Sequence, residues 1–92
     1  ISNDVFIGDS VFVNMNTNIA HDVKILNHSS IMVNVNIGGN CEIGEQVFIG
    51  TGVSLKPNIK IISSVKIGIG SVVIKNIKRH GTYFGNPAKI LF

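Results

Sequence analysis

His21 and Asp22 are neighbours in the sequence, and an imidazole beside a carboxylate is a pairing that moves protons. Imidazole titrates near neutrality, so it can accept a proton from an amine or hydroxyl as that group attacks an acyl carbon. A carboxylate at the other ring nitrogen would fix the tautomer and raise the basicity. The chain holds three histidines, His21, His28 and His80. A catalytic zinc site draws its protein ligands, usually three, onto one point. The placement worked out below keeps these histidines apart, so no metal site is expected. Cys41 is the single cysteine and excludes a disulfide framework, which suits a reducing compartment such as the cytoplasm.

The side chains that must position this pair are mostly aliphatic. Ninety-two residues, 45% of them apolar, suffice for one packed domain. Eleven Asn and ten Gly against two Pro favour many tight turns over long helices. The chain opens at Ile1 in mid-pattern without a Met, and an upstream domain is expected. No apolar run reaches membrane-span length, and no signal peptide is visible. The net charge of +3 is unevenly spread. All five acids precede residue 46, and seven of the eight Lys and Arg follow residue 55. A basic C-terminal half suits an anionic partner such as a phosphorylated cofactor. It lacks the interleaved aromatics of a nucleic-acid platform, so no nucleic-acid partner is expected.

A strict repeat decides the architecture. Counting in sixes from position 1 to position 73 gives I, I, V, I, I, I, I, I, I, L, I, I, V, thirteen hexads without a slip. Two residues before each anchor the side chain is small or β-branched, as at Val23, Ser29, Val35, Cys41 and Val47. Gly follows the anchor at Gly8, Gly38, Gly44, Gly50 and Gly68. Three past it Asn recurs, at Asn16, Asn34, Asn40, Asn58 and Asn76, and Asn tolerates left-handed backbone. Helix periodicity does not generate a six, and a simple strand alternates by two. One hexad makes a short strand and a corner; three hexads make one triangular coil, so positions i and i+18 stack. Coils stack by parallel pairing about 4.8 Å apart. The expected fold class is all-β, a parallel β-helix over 1–75 with a cap over 76–92, since solenoid ends need cover. The hexapeptide class that it resembles is left-handed.

Stacking by whole coils places side chains without further assumptions. His21 shares a corner with Asn3, Gly39, Pro57 and Lys75; Thr51 shares one with Met15, Val33 and Ile69. His28 belongs to the third, with Ser10, Gln46 and Ser64. His21 and His28 therefore stand on successive corners, and His80 lies in the tail. Gly39, one coil above His21, is expected to leave room for a substrate, with Pro57 a rigid wall beyond it. Cys41 falls at an inward position, where it packs and does no nucleophilic chemistry. Exposed apolar side chains on the flat faces are expected to bring copies together, as a homotrimer.

The hexads, "IAHD" (19–22), "GGN" (38–40) and "YFGNPAKIL" (83–91) resemble the C-terminal half of a sugar acyltransferase family. It includes the sialic-acid O-acetyltransferases and the nucleotide-4-amino-sugar N-acetyltransferases. The resemblance covers essentially the whole chain. It implies an acetyl-CoA-dependent transferase that acetylates an amine or hydroxyl of a sugar or nucleotide sugar by direct attack on the thioester. It implies that His21 is the general base and that Asp22 raises its basicity. Ser30 stands where the family has a second histidine, one that hydrogen-bonds the thioester region. Backbone contacts to the cofactor in the family fall near Gly39, Thr51 and Ile69. The basic half would face the phosphates, and the nucleotide sugar would be held largely by an upstream Rossmann-like domain.

Two other readings compete with this one. Serine and maltose O-acetyltransferases share the hexads but commonly interrupt a coil with a loop bearing the catalytic histidine; here the hexads run on without a break. A non-catalytic β-helix is the other. An ice-binding face would need ranks of Thr, and the chain has three, at Thr17, Thr51 and Thr82.

Overall fold

The computed structural model describes residues 4–92, so Ile1, the first anchor, and Asn3, on the His21 corner, lie outside the described residues. Each hexad folds into a two- or three-residue strand and a corner. The first coil carries β1 (Phe6–Ile7), β2 (Phe12–Val13) and β3 (Asn18–Ile19). The second carries β4 (Lys24–Ile25), β5 (Ser30–Ile31) and β6 (Asn36–Ile37). β7 (Glu42–Ile43), β8 (Phe48–Ile49) and β9 (Ser54–Leu55) follow, then β10 (Lys60–Ile61), β11 (Val65–Ile67) and β12 (Val72–Val73). Strands three apart pair in parallel, giving three flat faces: β1-β4-β7-β10, β2-β5-β8-β11 and β3-β6-β9-β12. The register steps by whole coils, as in Phe6 to Lys24 and Lys24 to Glu42. This is a left-handed parallel β-helix.

The corners explain the period. Positive φ recurs every sixth residue from Asp4 to Gly70, at ten non-glycine positions and at Gly52 and Gly70. Most of these corners carry Asn, Asp, Ser or Gly, whose short or absent side chains tolerate that backbone. The left-handed residue turns the chain by one prism angle and returns it to extended geometry. Its N–H then bonds the neighbouring coil, as Asn40 N–H does to the His21 carbonyl (3.0 Å) and Asn58 N–H to that of Gly39 (2.8 Å).

The anchor and the residue two before it lie on the same side of the strand, so both point inward. Val23, Ile25, Val35, Cys41, Ile43, Val47, Ile49 and Val53 are buried in one aliphatic column. Cys41 is among them; burial pushes its thiol pKa up, and Sγ donates to the Lys56 carbonyl at 3.2 Å. A buried protonated thiol is a poor nucleophile, in line with its expected packing role. Glycine after the anchor reflects close approach: a Cβ on Gly38 would sit 2.6 Å from the Pro57 nitrogen, and on Gly44 2.6 Å from that of Ser63.

Past Val73 the coil shortens. Ile77 bridges Ile61, and Val65 pairs with Gly81; both are steps of i to i+16, where i to i+18 had been the rule. β13 (Gly81–Gly85) adds to the β11 edge and β14 (Ala88–Ile90) folds back antiparallel upon it. Ile77 is buried, and Tyr83 and Ala88 pack on the core column, so the tail covers its upper end. Among the described residues no helix is long and apolar enough to cross a membrane.

Candidate active site

The corner between β3 and β4 is built by Ala20, His21 and Asp22. Asp22 is its left-handed residue, with φ 58°. That backbone turns the carboxylate back toward the preceding side chain, and His21 Nδ1 lies 3.0 Å from Asp22 Oδ2. A carboxylate only accepts, so in neutral His21 the proton is on Nδ1 and Nε2 keeps the lone pair. Both side chains are more than half exposed (60% and 53%), so the imidazole can be reached by a reactant.

The space above the missing Gly39 side chain belongs to the imidazole itself. A Cβ on Gly39 would lie 2.9 Å from both Cε1 and Nε2 of His21. The sequence expectation that this glycine makes room for substrate is corrected here: successive coils lie one strand spacing apart, so the ring fills the gap. Room for a reactant lies to the side instead, on the face of β3, β6 and β9. There Ala20 and Gly38 floor a shallow depression of about 490 Å³, edged by Asn18 and Asn36. The two asparagines are locked by a bond from Asn18 Nδ2 to Asn36 Oδ1 (2.9 Å).

The other expected site residues are not gathered at this corner. Thr51 and Ile69 stack on the corner between the β2 and β3 faces, joined through the bond from Gly70 N–H to the Thr51 carbonyl (2.9 Å). Ile69 is 68% exposed. Ser30 projects from β5, paired with Phe12 below and Phe48 above. Within one chain, then, His21, Asp22 and Gly39 form one cluster, Thr51 and Ile69 a second, and Ser30 a third position. His28 is the left-handed residue of the remaining corner, with φ 64°. His80 Nδ1 donates to the Ser63 carbonyl at 2.7 Å and ties the tail to that corner. No group of three His, Cys, Asp or Glu side chains gathers among the described residues.

Two inward polar residues lie away from this corner, inside the column. Ser29, named above only as a small inward side chain, and Ser71 at the same phase are buried and bonded. Ser29 Oγ donates to the Gly44 carbonyl (2.7 Å) and accepts from Val47 N–H (3.0 Å). Ser71 Oγ accepts from Gly85 N–H of the tail (3.0 Å). The signal was a hydroxyl at a position filled mostly by Val.

Among solved structures, this fold is shared with hexapeptide-repeat acyltransferases. Soybean serine acetyltransferase, as the apoenzyme, matches with a TM-score of 0.89 at 31% identity, over 96% of this chain and 40% of that one. A serine acetyltransferase in complex with CoA gives 0.88 at 29%, over 96% and 40%. UDP-N-acetylglucosamine O-acyltransferase (LpxA) from Moraxella catarrhalis gives 0.91 at 28%, over 95% and 34%. The chain spans 40% or less of the length of these proteins. No family model and no curated protein matches the sequence. The likeness is thus to acyltransferases of more than one acceptor class, broader than the sugar family that the motifs resemble.

Proposed function

We infer that this protein transfers an acetyl group from acetyl-CoA to an amine or hydroxyl of a sugar or nucleotide sugar. The observation that carries the reading is the His21 Nδ1–Asp22 Oδ2 contact of 3.0 Å, with Nε2 left to face a reactant. The acceptor binds beside His21 Nε2, which takes its proton as the nitrogen or oxygen attacks the thioester carbonyl carbon. The tetrahedral intermediate expels the CoA thiolate, and the proton on His21 is available to that leaving group. Asp22 holds the imidazole in the useful tautomer and stabilises the imidazolium that forms. Acetyl-CoA use is supported by the CoA complex of a structural neighbour. The sugar acceptor is supported by the "IAHD" and "YFGNPAKIL" motifs and by the sugar-nucleotide neighbour.

The dispersal of Thr51, Ile69 and Ser30 over other parts of the prism supports a homotrimer. A neighbouring copy brings its own second corner toward the His21 corner, and the cofactor lies between them. An upstream nucleotide-sugar domain would supply most of the acceptor contacts, and the lone buried thiol suits the cytoplasm. A second reading, serine O-acetylation, is favoured by the 31% identity to soybean serine acetyltransferase.

Steady-state acetylation with acetyl-CoA and a panel of amino sugars, nucleotide sugars and L-serine separates the two. Turnover on sugars and none on serine is expected. His21→Ala should lower kcat by roughly 10²–10⁴ while CoA still binds. Near-normal turnover in that variant would sink the mechanism.

A further inference from the structure

β3 and β6 each begin with an asparagine, Asn18 and Asn36, which pair one coil apart and are both exposed. Asparagine is disfavoured in strands, because its short amide competes with the backbone for hydrogen bonds. Asn14, Asn27 and Asn76 show the usual outcome: each uses Oδ1 to accept from a backbone N–H, at Met15, Asp9 and Lys60. Asn18 and Asn36 bond to each other instead, Nδ2 of Asn18 donating to Oδ1 of Asn36 at 2.9 Å. That bond uses one amide hydrogen and one lone pair. The second hydrogen of Asn18, its carbonyl oxygen and both hydrogens of Asn36 have no partner among the described residues. The pair edges the depression of about 490 Å³ whose floor, Ala20 and Gly38, runs into the His21 corner. Ala20 directly precedes His21, and Gly38 precedes the glycine against which the ring lies. From Asn18 to Ala20 is two strand residues, about 6.6 Å, enough to seat one sugar ring between amide and imidazole. No charged residue lines this depression; Lys56, Lys75 and Lys78 line a separate hollow.

We propose that Asn18 and Asn36 bind hydroxyl groups of a sugar acceptor, and so select a neutral polyhydroxylated ring over an amino acid. This rests on the acetyl-transfer reading above and names the side chains of this protein that recognise its acceptor. A hydroxyl both donates and accepts, and the amide pair offers both roles at one fixed spacing, about 4.8 Å between coils. The mutual bond holds each amide against rotation, so little side-chain freedom is lost when the acceptor binds. An amino acid such as serine brings an ammonium and a carboxylate, and both lose hydration in a hollow lined by no opposite charge. A ring held at the amides presents the amine or hydroxyl on its far side to His21 Nε2. Ser54 and Val72 take the same position on β9 and β12, so the amide pair is confined to the two coils that carry His21 and Gly39. The pantetheine arm of CoA has amides that the same pair can bond, so acceptor and cofactor need separate arms in the test.

Initial-rate kinetics on the intact protein provide them, with acetyl-CoA against D-glucosamine, UDP-N-acetylglucosamine or L-serine. Asn18→Ala and Asn36→Ala should each raise KM for the sugar that is turned over by roughly threefold to tenfold, with a smaller change in kcat and none in KM for acetyl-CoA. Asn36→Ser, which keeps a hydroxyl at that position, should recover part of the loss. Both residues are exposed, so the fold is expected to persist, checked by an unchanged melting temperature. Lys24→Gln, on another face, should leave every constant as it was. If both alanine variants keep the parent's KM for the sugar, the amide assignment is wrong while acetyl transfer stands. If KM for acetyl-CoA rises and that for the sugar does not, the depression holds the cofactor and the proposal is overturned. Turnover of serine and of neither sugar overturns it together with the sugar reading. Acetyl transfer to none of the three acceptors removes both the proposal and the reading on which it rests.

Discussion

At Asp22 the backbone is left-handed and the side chain reaches back to His21 Nδ1, so one residue turns the corner and orients the base. Asn can do the first, as Asn16, Asn34, Asn40 and Asn58 show at equivalent corners with φ 57–67°, but it has no charge to stabilise the imidazolium and its amide NH2 competes for the ring nitrogen. Asp22→Asn should therefore keep the melting temperature within about 2 °C and lower kcat roughly 10- to 100-fold, less than loss of the base itself. Thermal denaturation and steady-state kinetics on the same preparation check both halves. Gly39 offers a second residue-scale test. A Cβ there meets the reacting edge of His21 at 2.9 Å, the far end of a side chain that can turn, so Gly39→Ala should move the ring at small cost in stability. Turnover should fall about tenfold or more, because a base displaced by a fraction of an ångström loses its reach. Wild-type turnover in that variant would show that the ring has no need of its present place.

Elements of two or three residues are too short to stand alone, and what holds them is the layer above and below. Ser29 shows how this works inside the column. Its hydroxyl joins the Gly44 carbonyl and the Val47 N–H, both on the next coil. Ser29→Ala leaves two buried backbone groups without that partner and should cost about 1–3 kcal/mol, read from urea unfolding. Two glycines separate crowding from backbone strain. Gly38→Ala drives a Cβ to 2.6 Å from the Pro57 nitrogen, and overpacking of that kind costs about 1–3 kcal/mol. Gly70→Ala meets nothing within 4 Å but keeps a φ of 68°, so its cost is the left-handed penalty alone, about 1 kcal/mol. The same denaturant titration should rank Gly38→Ala as the more destabilised of the two. Equal losses would mean that the coils relax apart around a methyl group.

For the whole molecule, Phe6, Phe12 and Phe48 stand more than one-third exposed on two faces of the prism, along with Ile69 and Ile74 at its upper end. Apolar area of that extent usually meets a partner. Sedimentation equilibrium should return three times the chain mass of 9.9 kDa for the proposed trimer. A monomer at micromolar concentration would leave the Thr51 and Ile69 corner without a His21 corner to face. The path from sequence to this fold was legible in unequal parts. Anchors in phase from Ile7 to Val73 gave the twelve short coil strands, the inward set and the sharing of corners by positions i and i+18, because six residues make one strand and one corner; the handedness came from the resemblance. The left-handed corners were half visible: Asn marked some of them, while His28 and Gln46 gave no compositional sign. The pairing of His21 with Asp22 was written in the sequence as adjacency, yet adjacency does not aim side chains; the φ of 58° at the corner does. Spacing placed Gly39 over His21 but assigned the vacancy to substrate, since a one-dimensional period says which residues are neighbours and not which of them fills the gap. The end of the repeat hid most. Only packing decided that the last coil would lose two residues, that Ser71 would hold the tail, and that Lys56, Lys75 and Lys78 would meet around one hollow, because those contacts depend on how an irregular segment closes over the column.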